Sequence, residues 1–221
     1  MPVTTFQVAL WVELLAAGLG GLQGALFAAD TRHRRIDVLG VLIIGLIVAL
    51  GGSLLRDVVL NQPPTVIWMN WYLVVAGAAA LIGMVLQPLI SHAGWLITVL
   101  DAVVMGLFGA IGATKALSLG VGAIGALVVG VIGAIGGGML RDIVLSVPVS
   151  FLQVGRLYAV AAGSGVGVLV LLIGLGTSVP LAAVICVVVT TIVRLVAVVL
   201  GWTFPEQRSL PTPHRRAPKQ S

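Results

Sequence analysis

Charged residues are scarce in this chain of 221 residues, of which 9% are Asp, Glu, Lys or Arg and 59% are hydrophobic. Soluble globular domains carry about 25% charged residues, so this composition is that of an integral membrane protein. The chain also has a single cysteine, Cys186. It lies in an apolar segment and is interpreted as a packing residue rather than a redox or metal-binding one.

Signatures of enzymes and of metal or cofactor sites are missing from the sequence. There is no Gly-x4-Gly-Lys-Ser/Thr phosphate loop and no nucleophile elbow. His33, His92 and His214 lie far apart, which argues against a shared metal. We therefore expect no catalytic residue, no metal and no cofactor. A voltage-sensor arginine ladder and a Thr-Val-Gly-Tyr-Gly filter are equally absent.

Seven apolar runs of about twenty residues are present, and each is long enough to cross a bilayer core of roughly 30 Å as a helix. They cover residues 8–29, 38–60, 71–91, 94–114, 119–146, 154–175 and 180–201. The first run contains Glu13 and lacks a basic leader, so it is not interpreted as a cleavable signal peptide. The sequence predicts one all-α transmembrane domain over residues 1–203.

The basic residues predict the orientation of this domain. They concentrate in the first loop and the tail, namely Arg32, Arg34, Arg35, Arg208, Arg215, Arg216 and Lys219. With seven spans, both regions fall on one side, which the positive-inside rule makes cytoplasmic, with the N-terminus outside. The Pro-rich tail, 204–221, is predicted to be disordered and to contact anionic lipid. Nucleic acid binding is disfavoured because the basic residues flank spans.

A decapeptide occurs twice in the chain. Residues 51–60 return 85 positions later as residues 136–145, with seven of ten residues identical, and each copy holds consecutive glycines followed by an Arg-Asp pair. The glycines, Gly51 and Gly52 with Ser53 in one copy and Gly136, Gly137 and Gly138 in the other, are predicted to interrupt or bend their helices.

The repetition extends to the surrounding spans. Glu13 corresponds to Asp101, and the Gly18, Gly21 and Gly24 series corresponds to Gly106, Gly109 and Gly112. These small residues are interpreted as helix-packing positions. Spans one to three (8–91) thus repeat as spans four to six (94–175), followed by a seventh (180–201). Because each unit has an odd number of spans, the two repeats are predicted to be inverted.

The charged residues within spans are the candidate functional residues, because charge at membrane depth is costly. Arg56-Asp57 and Arg141-Asp142 fit two compatible interpretations: a buried ion-pair lock between the halves, or a permeation or gating element. Each Arg need not pair with its own Asp, since neighbouring helical residues point about 100° apart.

The other charged residues in the spans leave further alternatives open. Lys115 could snorkel to the lipid headgroups or face a polar path. Arg194 lies too deep to snorkel and is predicted to face protein or water. Glu13 and Asp101 could complement helix dipoles near the starts of their spans.

The chain resembles the prokaryotic members of the trimeric intracellular cation (TRIC) channel family, a bacterial membrane family also described as a glycine transporter domain. The resemblance covers about residues 13–200. It depends on Asp37-Val38-Leu39-Gly40, both glycine and Arg-Asp motifs, Asp101, Gly112-Ala113-Thr114-Lys115-Ala116, Tyr158 and Arg194-Leu195. Ser53 departs from the family pattern, which has a third glycine there, and so does Gly20-Gly21-Leu22-Gln23-Gly24, where the family has Phe-Ala-x-Ser-Gly.

The resemblance implies a homotrimer in a prokaryotic plasma membrane. Each subunit would hold its own pore for potassium, with sodium also passing, framed by glycine-kinked second and fifth helices. Two alternatives remain at this point. One is a secondary transporter of a small zwitterion such as glycine, because a half-helix N-terminus at a midplane site would suit a carboxylate. The other is a non-conducting membrane scaffold.

Overall fold

Each of the seven apolar runs corresponds to one helix in the described part of the chain. The computed structural model describes residues 8–30, 36–90, 94–152 and 157–202. The elements in these ranges are α1 (Leu10–Asp30), α2 (Val38–Val59), α3 (Thr65–Trp68), α4 (Asn70–Ile90), α5 (Gly94–Ser118), α6 (Ala123–Val144), a 3-10 turn (Ser150–Leu152), α7 (Tyr158–Gly174) and α8 (Val179–Val199). No strand occurs in these four ranges.

Six of the helices, α1, α2, α4, α5, α6 and α8, are long and apolar enough to cross a membrane. Helix α7 is apolar but has only 17 residues, which at about 1.5 Å per residue extend over roughly 25 Å. Every predicted span falls on one of these seven helices. The described part of the chain is thus an all-helical, multi-pass membrane protein.

The fifth predicted span begins four residues before the helix that it contains. The apolar run begins at residue 119, but α6 begins at Ala123. Gly120 has a φ of +80° and Gly122 is the N-cap in extended conformation, so the chain turns before the helix starts. The basic loop residues 32–35, the three histidines and the tail 204–221 lie outside the described residues.

Helices α2 and α6 cross in direct backbone contact at their glycines. A Cβ added at Gly52 would overlap the carbonyl oxygen of Gly133, and one added at Gly137 would overlap the carbonyl oxygen of Val48. The two contacts are reciprocal, because each residue is 85 positions from its counterpart. A second reciprocal pair lies beside the first. A Cβ added at Gly51 would lie 2.8 Å from Leu140 Cδ1, and one added at Gly136 would lie 2.8 Å from Leu55 Cδ1.

Of the prediction that these glycines interrupt or bend their helices, the interruption is wrong and the bend stays a prediction. Both α2 and α6 are helical without a break through the glycine clusters. The missing side chains instead allow two backbones to approach closely, as small residues do between membrane helices. A larger residue at Gly137 would therefore push against the backbone of α2.

The glycine series of α1 and α5 also serves packing, as predicted. A Cβ at Gly21 would overlap the carbonyl oxygen of Ala76 in α4, and one at Gly24 would lie 2.8 Å from Val48 in α2. In the second half, a Cβ at Gly106 would lie 2.8 Å from Val187 in α8. Helix α8 thus packs on α5 and α7 and closes the second half of the bundle.

Helices α2 and α6 end in the same way. Asn61 and Ser146 adopt positive φ values of 51° and 48°. The amide of the next residue donates back to Asp57 O at 2.8 Å in one copy and to Asp142 O at 3.0 Å in the other. This is the Schellman arrangement that closes a helix. It leaves each Arg-Asp pair in the last turn, where the helix dipole favours the arginine.

Candidate functional site

The first Arg-Asp pair is buried and forms an ion pair between neighbours. Arg56 Nε donates to Asp57 Oδ1 at 2.7 Å, and the two side chains are 2% and 0% exposed. Asp57 Oδ2 accepts a second hydrogen bond from the backbone amide of Thr65, at 3.2 Å. The carboxylate therefore also ties the end of α2 to the start of α3.

Lys115 joins this pair from the other half of the chain. Its Nζ lies 2.8 Å from Asp57 Oδ1, and its side chain is 22% exposed. The snorkelling interpretation is therefore wrong, because the ammonium group is directed to a carboxylate inside the protein. An ion pair between the halves exists, as the lock interpretation predicts, but Lys115 makes it rather than an arginine.

Near this pair, the hydroxyl of Tyr72 in α4 donates to Glu13 Oε2 in α1. We refer to Glu13, Arg56, Asp57, Tyr72 and Lys115 as the outer cluster, after the predicted orientation. Two cations and two carboxylates make it formally neutral.

The second Arg-Asp pair has the same internal geometry. Arg141 Nε donates to Asp142 Oδ1 at 2.9 Å, and its Nη2 lies 2.8 Å from the same oxygen. Asp142 Oδ2 accepts from the backbone amide of Ser150 at 2.8 Å. Ser150 is 85 positions from Thr65, so both halves use the carboxylate to hold the chain that follows the helix.

Asp101 in α5 accepts two hydrogen bonds from side chains of other helices. Its Oδ1 accepts from Tyr158 Oη at 2.9 Å and from Gln23 Nε2 at 3.0 Å. Asp101 lies seven residues after Gly94, the first residue of α5, so it does not cap that helix. The dipole interpretation is therefore wrong for Asp101, whereas Glu13 does lie in the first turn of α1.

Arg194 completes the second half from α8. It is 6% exposed and its guanidinium carbon lies 4.8 Å from the ring centroid of Tyr158, so it faces protein, as its depth predicts. We refer to Asp101, Arg141, Asp142, Tyr158 and Arg194 as the inner cluster. It too contains two cations and two carboxylates.

The two clusters differ at one equivalent position. Phe27 in α1 corresponds to Lys115 in α5, 88 positions later. Where Lys115 reaches Asp57, Phe27 stacks on Arg141, with the guanidinium carbon 3.7 Å from the ring centroid. The outer cluster thus has a third charge on its Arg-Asp pair, whereas in the inner cluster an apolar ring covers the arginine.

The third position of each glycine motif differs as well. Ser53 is a buried residue of α2. At its counterpart Gly138, an added Cβ would lie 3.2 Å from Tyr158 Oη and 3.7 Å from Arg141 Nη2. A glycine at this position therefore leaves room for the tyrosine and arginine of the inner cluster.

A cavity of about 390 Å³ adjoins the inner cluster. Its polar lining includes Gln23, Asp101, Arg141, Tyr158 and Arg194, and Phe27 contributes an apolar wall. Arg141 Nη1 and both Nε and Nη1 of Arg194 are buried without a hydrogen-bond partner in the described part of the chain. Unpaired buried donors are costly, so these two arginines add unsatisfied polar atoms beside the cavity.

Sequence reasoning did not select Tyr72, Gln23 or Phe27. Tyr72 and Tyr158 are the two tyrosines of the chain. Their hydroxyls reach the repeat-related carboxylates Glu13 and Asp101. The spacing in sequence from Glu13 to Tyr72 nearly equals that from Asp101 to Tyr158, and this signal could have identified Tyr72. Gln23 is a polar residue within an apolar span, which was also a signal, whereas no pattern distinguishes Phe27 from its apolar surroundings.

Sequence comparison finds relatives over most of the chain. A family model described as "Glycine transporter" matches residues 10–88 and 98–174. The UPF0126 inner membrane protein YadS of Escherichia coli K12 is 34% identical over 85% of this chain and 90% of its own length. A UPF0126 membrane protein of Deinococcus radiodurans is 30% identical over 77% of this chain and 80% of its own.

Structural comparison finds TRIC channels. A structure solved to explain conductance through TRIC cation channels superposes with a TM-score of 0.79 at 28% identity, covering 90% of this chain and 98% of the other. The TRIC trimeric intracellular cation channel orthologue from Rhodobacter sphaeroides has a TM-score of 0.79 at 25% identity, covering 87% and 97%. The resemblance inferred from sequence motifs is thereby confirmed.

Proposed function

We propose that this chain, which belongs to the bacterial membrane-protein family whose model is described as "Glycine transporter", is a cation channel. The observation that carries the proposal is the superposition on TRIC cation channels over almost their entire length. We further propose that it conducts potassium and sodium and that it is a homotrimer with one pore in each subunit.

The proposed subunit consists of two inverted three-helix repeats and the extra helix α8. The reciprocal contacts of α2 and α6 support this arrangement, because they are related by the same offset of 85 residues as the sequence repeat. The implied pseudo-two-fold axis passes through the crossing and lies in the membrane plane. We assign the ion path to the space beside this crossing, between the outer and the inner cluster.

The charges of the two clusters are compatible with cation flow. An unpaired lysine at about 4 Å would oppose a potassium ion by about 4 kcal/mol at an effective dielectric constant near 20. Asp57 instead pairs with both Arg56 and Lys115, and Asp142 pairs with Arg141. Because each cluster balances its cations with carboxylates, we expect weak discrimination between monovalent cations rather than exclusion.

We propose that the pair of Lys115 and Asp57 closes the outer end of the path. It is the polar link that joins α5 of one repeat to α2 of the other, so separating the repeats would break it. A membrane potential can drive such a separation, because one charge that crosses the whole field gains about 2.3 kcal/mol per 100 mV.

Recording from purified protein in planar bilayers tests the proposal. We expect discrete conductance steps in potassium chloride, a reversal potential that shifts little when sodium replaces potassium on one side, and a higher open probability for Lys115→Gln. Asp37→Asn is the control, because Asp37 caps α2 at an exposed position. Well-folded protein without conductance steps would refute the proposal that the protein is a channel.

The remaining proposals concern assembly and location. We propose residence in a prokaryotic plasma membrane with the N-terminus outside, and contact of the basic loop and tail with anionic lipid. Crosslinking in native membranes should yield a band three times the subunit mass of 22.7 kDa. A protein that remains monomeric in membranes would exclude the trimer.

Transport of a small zwitterion is the second candidate function. The observation that favours it is the cavity at the inner cluster, whose lining includes Arg141, Arg194 and the carboxylate of Asp101. Proteoliposomes should then accumulate labelled glycine in a saturable manner without conductance steps. If the protein shows neither glycine flux nor conductance, the remaining function is that of a non-conducting scaffold.

A further inference from the structure

The short segment between α2 and α4 exposes large apolar side chains. Val66 in α3 is only 1% exposed and packs in a core cluster with residues of α1, α2 and α4. The side chains that follow it are turned outwards instead. Four of them are at least 40% exposed, and we refer to them as the tryptophan patch: Ile67, Trp68, Met69 and Trp71.

The tryptophan patch lies at one end of the membrane-spanning helices. Helix α2 ends at Val59 and α4 begins at Asn70, so α3 connects the ends of two spans. The hydrogen bond from Tyr72 to Glu13 places the first turns of α4 and α1 side by side. Trp11, two residues before Glu13, therefore belongs to the same end of the bundle.

The distribution of tryptophan along the chain identifies lipid as the partner of the patch. All five tryptophans are more than half exposed, and each lies at or next to an end of a spanning helix: Trp11, Trp68, Trp71, Trp95 and Trp202. Tryptophan is enriched at this depth because its amphipathic ring sits at the level of the lipid headgroups. Contact with a second subunit would give no reason to confine the tryptophans to the helix ends.

The second half of the chain lacks the two tryptophans of the patch. At the offset of 85 positions, Gln153 corresponds to Trp68 and Arg156 corresponds to Trp71. The hydrogen bond that ties the segment to its helix is nevertheless present in both halves. The patch is therefore an addition to a shared framework, at the end of the bundle that holds the outer cluster.

Two hydrogen bonds connect this segment with the outer cluster. The backbone amide of Thr65, the first residue of α3, donates to Asp57 Oδ2 at 3.2 Å. Tyr72, in the first turn of α4, donates to Glu13. The other oxygen of the Asp57 carboxylate lies 2.8 Å from Lys115 Nζ. A displacement of α3 therefore changes the position of the carboxylate that pairs with Lys115.

We propose that the tryptophan patch docks into the headgroup layer of the lipid bilayer and that this contact regulates the pair of Lys115 and Asp57. Longer acyl chains move the headgroup layer away from the centre of the span. Because tryptophan stays in that layer, α3 moves with it, and the Thr65 amide pulls Asp57 away from Lys115. This inference rests on the proposed channel function, because it names the regulation of the pair that closes the outer end.

A variant that keeps Trp68 as its single tryptophan, with phenylalanine at the other four positions, tests the docking. In phosphatidylcholine vesicles brominated at graded depths, bromine near the headgroup should quench Trp68 fluorescence most strongly and bromine at the end of the acyl chain least. The control retains only Trp95, at the opposite end of the bundle, and should show the same profile. Trp68 fluorescence that no brominated lipid quenches would overturn the proposal and indicate that a second subunit covers the patch.

The rate at which an amine reagent labels Lys115 tests the regulation, whether or not the protein conducts. Lys115 and Lys219 are the two lysines of the chain, so mass spectrometry assigns the product. In phosphatidylcholine vesicles, wild-type protein should be labelled at least about fivefold faster with long than with short acyl chains, the lower end of common coupling between sites. Trp68→Gln should lose this difference, whereas Trp95→Gln, the matched control, should keep it.

The outcomes separate this regulation from the channel function. A wild-type labelling rate that is equal in both lipids overturns the regulation, and so does a Trp68→Gln variant that responds as the wild type does. An equal loss in Trp95→Gln also overturns it, because the bilayer would then act on the whole bundle. Lipid-dependent labelling of protein that never conducts supports the coupling and refutes the channel.

Discussion

Asp57→Asn is the perturbation that most directly probes how the two halves are held together. In the wild type, one carboxylate oxygen accepts from Arg56 at 2.7 Å and from Lys115 at 2.8 Å, and the other accepts from the amide of Thr65. The amide of asparagine has nearly the same shape but no charge. The variant therefore leaves two neighbouring cations without their shared anion, inside a helical bundle.

The structure sets the expected magnitudes. Removing one partner of a buried ion pair costs about 3–5 kcal/mol of stability, because the other charge stays buried. Lys115→Met should cost only about 1 kcal/mol, since Lys115 is 22% exposed and Asp57 keeps its bond to Arg56. The double variant should be more stable than Asp57→Asn alone, by a coupling energy of about 0.5–3 kcal/mol.

Unfolding by SDS titration in mixed micelles measures these differences. Asp142→Asn is the matched control, because it leaves one unpaired arginine rather than two cations, and that arginine keeps its contact with Phe27. We expect it to lose less stability than Asp57→Asn. Wild-type stability of Asp57→Asn, or a double variant no more stable than the single one, would refute the role of Lys115 as a link between the halves.

Three further predictions follow from the packing and the charge pattern. Gly137→Leu should lower both the yield of folded protein and the melting temperature, because the added side chain meets the α2 backbone. Gly174→Ala is the control and should change neither, because an added Cβ there meets nothing within 4 Å. A stable Gly137→Leu protein would contradict the close crossing of α2 and α6. Single cysteines at Thr4 and Ser209, both outside the described residues, should be labelled by an impermeant reagent in intact cells at Thr4 only, and the reverse pattern would invert the orientation. Arg141→Ala should cost about 3–5 kcal/mol by leaving a buried carboxylate without its cation, and an unchanged SDS midpoint would show that the backbone amide suffices.

The fold was largely predictable because its signal is local. A run of about twenty apolar residues must form a helix in lipid, since no water is available to pair its backbone groups. Each of the seven predicted runs accordingly falls on one helix. The errors occur where local composition is ambiguous: the apolar residues 119–122 form a turn because glycine at position 120 adopts a positive φ.

The glycine motifs show how one composition permits two outcomes. Glycine lowers the cost of a helix break and also permits close backbone contact. The sequence supports both equally. The packing of the neighbouring helix decides between the two outcomes. Here Gly52 and Gly137 each meet a carbonyl of the opposite helix, so the helices remain continuous and pack at the glycines.

The sequence by itself determined the class of protein, the repeated unit and the identity of the buried charges, because apolar runs, periodic identities and rare ionisable residues are properties of the chain alone. Only the tertiary structure decided which charges pair. Arg56 and Arg141 each bind the aspartate next to them, Lys115 crosses to Asp57, and Arg194 stacks on Tyr158 beside a cavity. The physical reason is that a long side chain can reach several partners within one helical turn, and its choice depends on residues that are distant in the sequence, such as Asp57, 58 positions from Lys115.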